Sequence, residues 1–301
     1  MKKYTQYIIV LVATVILVPS MASAATVYLE TAKNSISVGD TAIITVKINA
    51  DAATINTVEG NISFKSAANS AVVQEFSLAN SAFGLWPRTP SLSSDGKLVS
   101  FVGGVPGGFS IEGATIFKII VEAKKEGQVT ITPEDFIAFA NDGKGTKIPV
   151  QVKGLALNVT SKQAGSQVNN EWQKLVSTDT TPPEEFIVVL GQDKSLFDGK
   201  KFAFFSALDN QSGIDFYDVS ENGAPAVRSG STYVLQNQND NVKLDVVAHD
   251  KAGNKRTSTY SGTSAGGISW PIIGIIVLVV VIGYIAFRKM RGGKKNVPPA
   301  L

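Results

Sequence analysis

Apolar and polar residues alternate along most of this chain, in short segments separated by clusters of Gly, Asn, Asp and Pro. Residues 41–49 are typical, because Ile44, Val46 and Ile48 share one face of an extended strand and the polar residues between them share the other. No segment between residues 25 and 267 sustains the 3.6-residue period of an amphipathic helix. The pattern therefore predicts an all-β protein.

The first group of these segments spans residues 25–160 and predicts a β-sandwich. It holds roughly nine candidate strands, and that number over this length indicates two sheets packed face to face. The candidate strands cover residues 26–31, 41–49, 55–64, 72–76, 97–102, 115–122, 128–132, 136–140 and 150–159.

A linker and a second domain follow. Residues 161–183 are rich in Ser, Thr, Gln and Asn and end in Thr-Thr-Pro-Pro, which favours extended backbone, although Trp172 and Leu175 are expected to form one docked turn. Six or so further candidate strands over residues 184–260 predict an immunoglobulin-like or fibronectin-like sandwich, which has no disulfide because the chain has no Cys. Residues 261–267 are expected to form a short flexible stalk.

Both ends of the chain resemble targeting or anchoring segments. Residues 1–24 have a positive tip, an apolar stretch too short for a bilayer and Ala-Ser-Ala before residue 25, as in a secretory signal peptide, with an uncleaved anchor as the alternative. Residues 268–287 hold no charge and are long enough to form one transmembrane helix. Five Lys and Arg residues follow in 288–301, which predicts a cytoplasmic tail and a single-pass membrane protein with its large domains outside the cytoplasm.

The distribution of charge argues against a nucleic-acid partner. The whole chain has a formal net charge of +3. Seven of its 28 basic residues lie in the two terminal segments and all 25 acids lie between them, so residues 25–267 carry a net charge of −4. This outer part lacks the basic surface that attracts a phosphate backbone.

The inventory of reactive side chains predicts that the protein is not an enzyme. The chain has no Cys and a single His, His249, which is expected to point outward from its strand, and no Ser has the sequence context of a nucleophile. Glu134 and Asp135 are adjacent, so on a strand they are expected to point to opposite faces and not to address one glycosidic bond.

Three segments of the first domain carry a family resemblance. They are VYLETAKNSISVGDTAIITVKINA, in which residues 37–40 form a tight turn, SFVGGVPGGFSIEGATIFKIIVEAKKEG, and DFIAFANDGKGTKIPV. Together they resemble the bacterial cohesin domain, a nine-stranded jelly-roll sandwich, over residues 26–159. Cohesins bind dockerin modules or serve as surface scaffolding, so the resemblance implies a dockerin-like partner. The second domain, through DTTPPEEF, ALDNQSGIDFYDV and VVAHDKAGNKR, is similar to immunoglobulin-like repeats of bacterial surface proteins.

The stretch AFGLWPRTP offers candidate ligand-binding residues in Phe83, Trp86 and Arg88. On a loop, these rings would stack on a sugar or fill the pocket of a partner protein. The favoured alternative is an edge strand that buries Trp86 in the sandwich. The nearby glycine-rich run at 103–108 lacks the following helix of a phosphate site, and we expect it to be a loop that needs positive φ.

Calcium is the one cofactor that the sequence suggests. Asp209, Asp215 and Asp250 are candidate oxygen ligands, because extracellular modules without disulfides often use calcium for rigidity. The favoured alternative is that these acids close turns by bonding their own backbone.

These observations favour a membrane-anchored binding or scaffolding protein of the cell surface. Its cohesin-like domain would recognise a protein module such as a dockerin, or a polysaccharide, with no bond chemistry. A purely structural envelope protein with no soluble ligand is the alternative. A polysaccharide-degrading enzyme is the least favoured reading, because it needs two acids facing each other across a cleft.

Overall fold

The computed structural model describes residues 24–262, with the exception of residues 52, 67, 68, 195 and 240. The predicted signal peptide, transmembrane helix and cytoplasmic tail therefore fall outside the described residues, apart from residue 24. Within the described part, no helix is both long and apolar enough to cross a membrane. The all-β class is confirmed, because strands form nearly all of the regular structure there.

The first domain is a sandwich of two sheets. Its strands are β1 (Ala25–Thr31), β2 (Ser35–Ser37), β3 (Thr41–Asn49), β4 (Ile55–Ser66), β5 (Ala71–Ser77), β6 (Leu85–Leu92), β7 (Leu98–Phe109), β8 (Ala114–Ala123), β9 (Gly127–Ala140), β10 (Lys147–Ile148), β11 (Val150–Lys153) and β12 (Leu155–Thr160). The five-stranded sheet has the order β11-β1-β3-β8-β5. The seven-stranded sheet has the order β2-β12-β9-β4-β7-β6, and β10 pairs with β9.

The core between the two sheets follows the predicted alternation. Ile44, Val46 and Ile48 are completely buried, and the fully buried rings of Phe101 and Phe117 meet at the centre with a centroid distance of 4.9 Å. Each such side chain contributes about 1.5–3 kcal/mol by leaving water. The alternation along the strands therefore specifies which face of each sheet is buried.

The turn predicted at residues 37–40 is confirmed. The amide of Asp40 donates to the carbonyl of Ser37 at 2.9 Å. Gly39 has φ +92°, a left-handed conformation that costs least at glycine. The turn leads directly from β2 into β3.

Two strands differ from their predicted form for local reasons. The predicted strands at 128–132 and 136–140 are one strand, β9, which continues through Asp135 at φ +54°. The glycine-rich run is not a loop, because β7 extends from Leu98 to Phe109 and only Gly107 and Gly108 of the run have positive φ. At Gly103 a Cβ atom would lie 2.7 Å from the rings of Phe83 and Trp86, so close packing, not φ, requires glycine there.

The docked turn expected around Trp172 is a short helix, α1 (Glu171–Ser177). Its N-cap is Asn170, whose side-chain oxygen accepts from the amide of Gln173 at 2.8 Å. The amide of Thr41 donates to the carbonyl of Asn169 at 3.0 Å, which ties the helix start to the beginning of β3. Trp172 is buried.

The second domain is a smaller sandwich. Its strands are β13 (Val188–Gln192), β14 (Lys201–Phe205), β15 (Ile214–Glu221), β16 (Val227–Ser229), β17 (Thr232–Val234), β18 (Lys243–Asp250) and β19 (Lys255–Ser261). A three-stranded sheet, β13-β14-β17, faces a four-stranded sheet, β16-β15-β18-β19. Phe205, Tyr217, Val219, Leu244 and Val246 are among the residues of its core.

His249 points outward from the core of the second domain, as predicted, but its side chain is covered and not exposed. It stacks on the ring of Phe216, with centroids 4.3 Å apart, and the Arg228 guanidinium lies 3.7 Å above the other side of Phe216. His249 Nε2 lies 2.9 Å from a carboxylate oxygen of Asp218. The neighbouring strands thus cover a side chain whose position on its own strand suggested solvent.

Candidate functional site

The outer face of the five-stranded sheet is partly covered by the rest of the chain. Glu75, on β5, accepts a hydrogen bond from Trp172 Nε1 and pairs with the ammonium of Lys251 at 2.5 Å. Ser77 Oγ donates to the carbonyl of Ser212 at 3.0 Å. We call this contact zone, in which Glu75 and Ser77 meet α1 and the second domain, the junction. Through the junction, the outer face of the five-stranded sheet contacts the second domain.

The outer face of the seven-stranded sheet has no such cover among the described residues. Directly paired residues of neighbouring strands point to the same side of a sheet, so the register identifies the residues on this face. We call them the open face: Glu59, Asn61, Ser63 and Lys65 of β4, Arg88 of β6, Ser100 and Val102 of β7, and Thr132, Glu134 and Ile137 of β9.

A hydrogen-bonded network holds the middle of the open face. Ser63 Oγ donates to Glu134 at 2.6 Å, and the Lys65 ammonium lies 3.2 Å from the same carboxylate. These two contacts lower the pKa of Glu134, the Ser63 hydrogen bond most. Ser100 Oγ donates to the side-chain oxygen of Asn61 at 2.7 Å. Side chains tied in this way lose little freedom when a partner binds.

One row crosses the open face from edge to interior. Arg88 pairs in register with Val102, which pairs with Glu59, which in turn pairs with Ile137. The row alternates a charge with a half-buried or buried apolar side chain, and the described residues provide no ion pair for Arg88 or Glu59. Such a row offers a partner both apolar contact and two opposite charges.

The prediction that Glu134 and Asp135 point to opposite faces is wrong. Asn61 Nδ2 lies 3.4 Å from Asp135, and Ser63 Oγ reaches Glu134, so both acids reach the open face. The left-handed conformation of Asp135 interrupts the alternation of β9 and turns its side chain to the same side.

The three candidate ligand-binding residues separate in the structure. Phe83 is buried and Trp86 packs in the core against Phe101, with centroids 6.4 Å apart, so the favoured edge strand is what forms. Pro87 follows in this strand, where an edge tolerates proline. Phe83 lies just before β6 with its ring buried, Trp86 packs inward from β6, and Arg88 alone belongs to the open face. Glu59 and Asn61 were missed, because their shared face becomes visible only through the register of β4.

Three buried carboxylates meet beside the junction. Oxygen atoms of Asp179, Asp209 and Asp250 all lie within 4.8 Å of one another. The structure thus brings together two of the three predicted calcium candidates, while Asp215 lies elsewhere and pairs with Arg228 at 3.4 Å. Sequence reasoning missed Asp179, for which the only signal is its position directly before Thr-Thr-Pro-Pro at the end of the linker.

Backbone amides already satisfy much of this carboxylate cluster. Asp209 accepts from the amides of Gln211 and Gly213, Asp179 from those of Thr181 and Ser212, and Asp250 from that of Asn254. All of these bonds are the turn-closing bonds of the favoured alternative, except that from Ser212, which joins the second domain to the linker. Hard oxygen ligands also suit calcium, and calcium binding at Asp209 and Asp250 stays a prediction.

Burial raises the pKa of Asp209, and the charges of Asp179 and Asp250 raise it further, against the opposing bond from Gly213. The folded state therefore holds this proton more tightly than the unfolded chain does. Its contribution to stability is complete below the ordinary pKa of 3.8 and is lost as the pH rises through the raised value.

We expect Asp209→Asn to stabilise the protein at pH 7 in a chelator, by about 1 kcal/mol, because it removes one of three crowded charges. The gain should vanish at pH 3, where the native carboxyl is protonated. Thermal unfolding in chelator at both pH values measures this. Added calcium should raise the melting temperature of the native protein and not of the variant. A native melting temperature that ignores calcium contradicts the calcium prediction, and a destabilised variant in chelator contradicts the charge argument.

Comparisons with known proteins find cohesins among the solved structures to which this chain is similar. No family model and no curated protein matches the chain. Similar solved structures include a non-cellulosomal cohesin from the archaeon Archaeoglobus fulgidus, with 13% identity and a TM-score of 0.37 over 46% of this chain and 92% of that chain. A cohesin module of a Clostridium perfringens family 33 glycoside hydrolase has 10% identity and a TM-score of 0.40, over 46% and 99%. A Clostridium thermocellum cohesin solved in a cohesin–dockerin complex has 12% and 0.38, over 46% and 95%.

These similarities concern the fold alone. The two-sheet sandwich predicted for the first domain is confirmed by the order of its strands, and the solved structures similar to it are cohesins.

Proposed function

We propose that this protein is a cell-surface recognition and scaffolding protein, whose open face binds a partner protein without bond chemistry. One observation carries the proposal: of the two outer faces of the first sandwich, the junction partly covers one, and nothing in the described part of the chain covers the open face. The open face suits a flat protein surface, because polar side chains at its middle are held by hydrogen bonds and because it carries the row of Arg88, Val102, Glu59 and Ile137.

A dockerin-like module is the partner that we propose first, because the sequence resembles cohesins. A polysaccharide is less well supported on this domain. Its prediction relied on the rings of Phe83 and Trp86, and both rings pack into the core.

We also propose that residues 268–287 anchor the protein in a membrane after export through the segment at 1–24. The support for the anchor is that residues 268–287 are uncharged and long enough to cross a bilayer, and that basic residues follow them. Deleting residues 268–301 should move the protein from the membrane fraction to the soluble extracellular fraction. If the full chain fractionates as a soluble cytoplasmic protein, that result contradicts the proposed membrane anchor.

Binding of the detergent-solubilised full chain to immobilised dockerin modules tests the open face. We expect Arg88→Glu to weaken binding at least about tenfold, because it places a second acid in the row beside Glu59. Lys153→Glu makes the same charge change on β11, in the other sheet, and should leave the affinity unchanged. Binding that is absent, or that is equal in the Arg88 variant and the native chain, would contradict recognition of dockerins through the open face.

A further inference from the structure

A pocket opens at the end of the second domain that lies away from the junction. Its volume is about 570 Å³, and it lies between the hairpin that joins β15 to β16 and the segment that follows β17. Side chains that line it include Glu221, Asn222, Pro225, Tyr233, Gln236 and Asn237. The lining therefore combines a carboxylate, an aromatic ring, apolar carbon and several side-chain amides.

Glu221 is the fixed centre of this pocket. It is buried, and its carboxylate accepts from the Tyr233 hydroxyl at 3.0 Å and from the amides of Gln236 and Asn237 at 2.8 and 2.6 Å. Burial and the bond to Glu221 raise the pKa of Tyr233 to about 12, so its phenol keeps its proton. Three hydrogen bonds thus hold β17 and the segment after it against the end of β15.

Each of three amide side chains in the pocket, those of Asn222, Asn237 and Gln236, forms a hydrogen bond with the described part of the chain through only one of its two polar groups. The side-chain oxygen of Asn222 accepts from the amide of Lys243 at 2.8 Å, and that of Asn237 accepts from the amide of Asn239 at 3.0 Å. Their Nδ2 groups have no hydrogen-bond partner among the described residues. Gln236 donates to the carbonyl of Val234 at 3.4 Å, and its side-chain oxygen has no donor within the same residues. The pocket thus presents two donors and one acceptor beside the ring of Tyr233.

The charges of the lining exclude several ligand classes. None of the described residues that line this pocket is Lys or Arg, so an anion would meet the Glu221 carboxylate without a compensating charge. Three hydrogen bonds already satisfy that carboxylate, which leaves little for a cation. A peptide strand would be held by backbone groups of a sheet edge, whereas side chains line this site. A neutral ligand rich in hydroxyl groups remains.

We propose that this pocket binds a neutral saccharide. A hydroxyl group both donates and accepts, which matches fixed amide donors beside an amide acceptor. The C–H face of a sugar ring is apolar and suits the ring of Tyr233 and the carbon surface of Pro225. The second domain then carries a recognition site of its own and is more than a spacer.

The position of the pocket indicates where its ligand lies. Glu221 pairs in register with Leu244, and the adjacent Lys243 pairs with Ser261, where β19 leads into the predicted stalk. Under the anchoring proposed above, the pocket faces the membrane side of the domain. The saccharide would then be either a polymer of the envelope or the headgroup of a glycolipid.

Calorimetry and saturation-transfer NMR on the detergent-solubilised full chain test the pocket. The probes are oligosaccharides of β-1,4-linked glucose, mannose or N-acetylglucosamine, and, separately, micelles with and without a diglucosyl lipid. We expect binding in at least one arm, and the arm that responds tells a free polymer from a headgroup. Gln236→Ala should weaken that binding about fivefold or more, because it removes the exposed acceptor.

Gln151→Ala, which makes the same change on an exposed strand of the first domain, should bind as the native chain does. Tyr233→Phe keeps the ring and removes the hydroxyl, and melting curves of every variant show that the fold is kept. The proposal is overturned if no probe binds in either arm, or if the Gln236 variant binds as tightly as the native chain. Neither result touches dockerin binding by the open face, so the two proposals fail separately.

Discussion

Replacing Phe117 by alanine should lower the free energy of unfolding of the first domain by about 3–5 kcal/mol. The side chain is completely buried, and its ring meets those of Phe101, Trp86 and Phe76 at centroid distances of 4.9, 6.4 and 6.3 Å. Alanine leaves a cavity at the point where the two sheets meet, and aromatic neighbours from both sheets cannot all move to fill it. Differential scanning calorimetry of the native and variant chains measures the loss.

Two matched substitutions show whether the effect belongs to this core. Ile111→Ala changes a side chain that is 60% exposed and should shift the same transition by less than about 0.5 kcal/mol. Phe205→Ala removes an equally buried ring from the second domain and should shift the transition of that domain instead. A Phe117 variant as stable as the native chain would contradict the packing described for the first core.

Replacing Trp172 by alanine should loosen the junction, with a loss of about 2–4 kcal/mol of the free energy that holds α1 in place. The indole is buried, donates to Glu75 and lies under the Lys251 ammonium, which is 5.9 Å from its ring. One side chain thus contacts groups from both domains. We expect trypsin to cleave the variant several times faster after Lys174, a residue of α1.

Trp172→Phe separates packing from hydrogen bonding at the same position. It retains an aromatic ring but removes the indole donor to Glu75, so its cleavage rate should lie between those of the native chain and the alanine variant. Equal cleavage rates for all three chains would mean that Trp172 does not hold α1 at the junction.

Strand positions were predictable where one face of the strand is buried and the other is polar. The predicted strand at 41–49 is confirmed to the residue as β3, because Ile44, Val46 and Ile48 leave only one choice of buried face. The turn at 37–40 and the docked segment around Trp172 also carry local signals, a glycine in the first and an isolated large ring in a polar linker in the second.

The functional surfaces were harder to predict, because they depend on contacts between distant parts of the chain. Asp179 meets Asp209 and Asp250 only after the linker folds back along the second domain. Arg88 and Glu59 share a row only through the register of β6, β7 and β4. Alternation within one strand carries no information about either arrangement.

Each edge strand of the two sheets in the first sandwich has a feature that hinders pairing with another strand. β11 and β2 are short strands of four and three residues, β6 contains Pro87 and Pro90, and the register of β5 is interrupted between Val73 and Glu75. Short length, proline and bulges all hinder the addition of a foreign strand. Copies crowded side by side are therefore protected from polymerising edge to edge, and a lattice of such molecules would have to be joined through side chains.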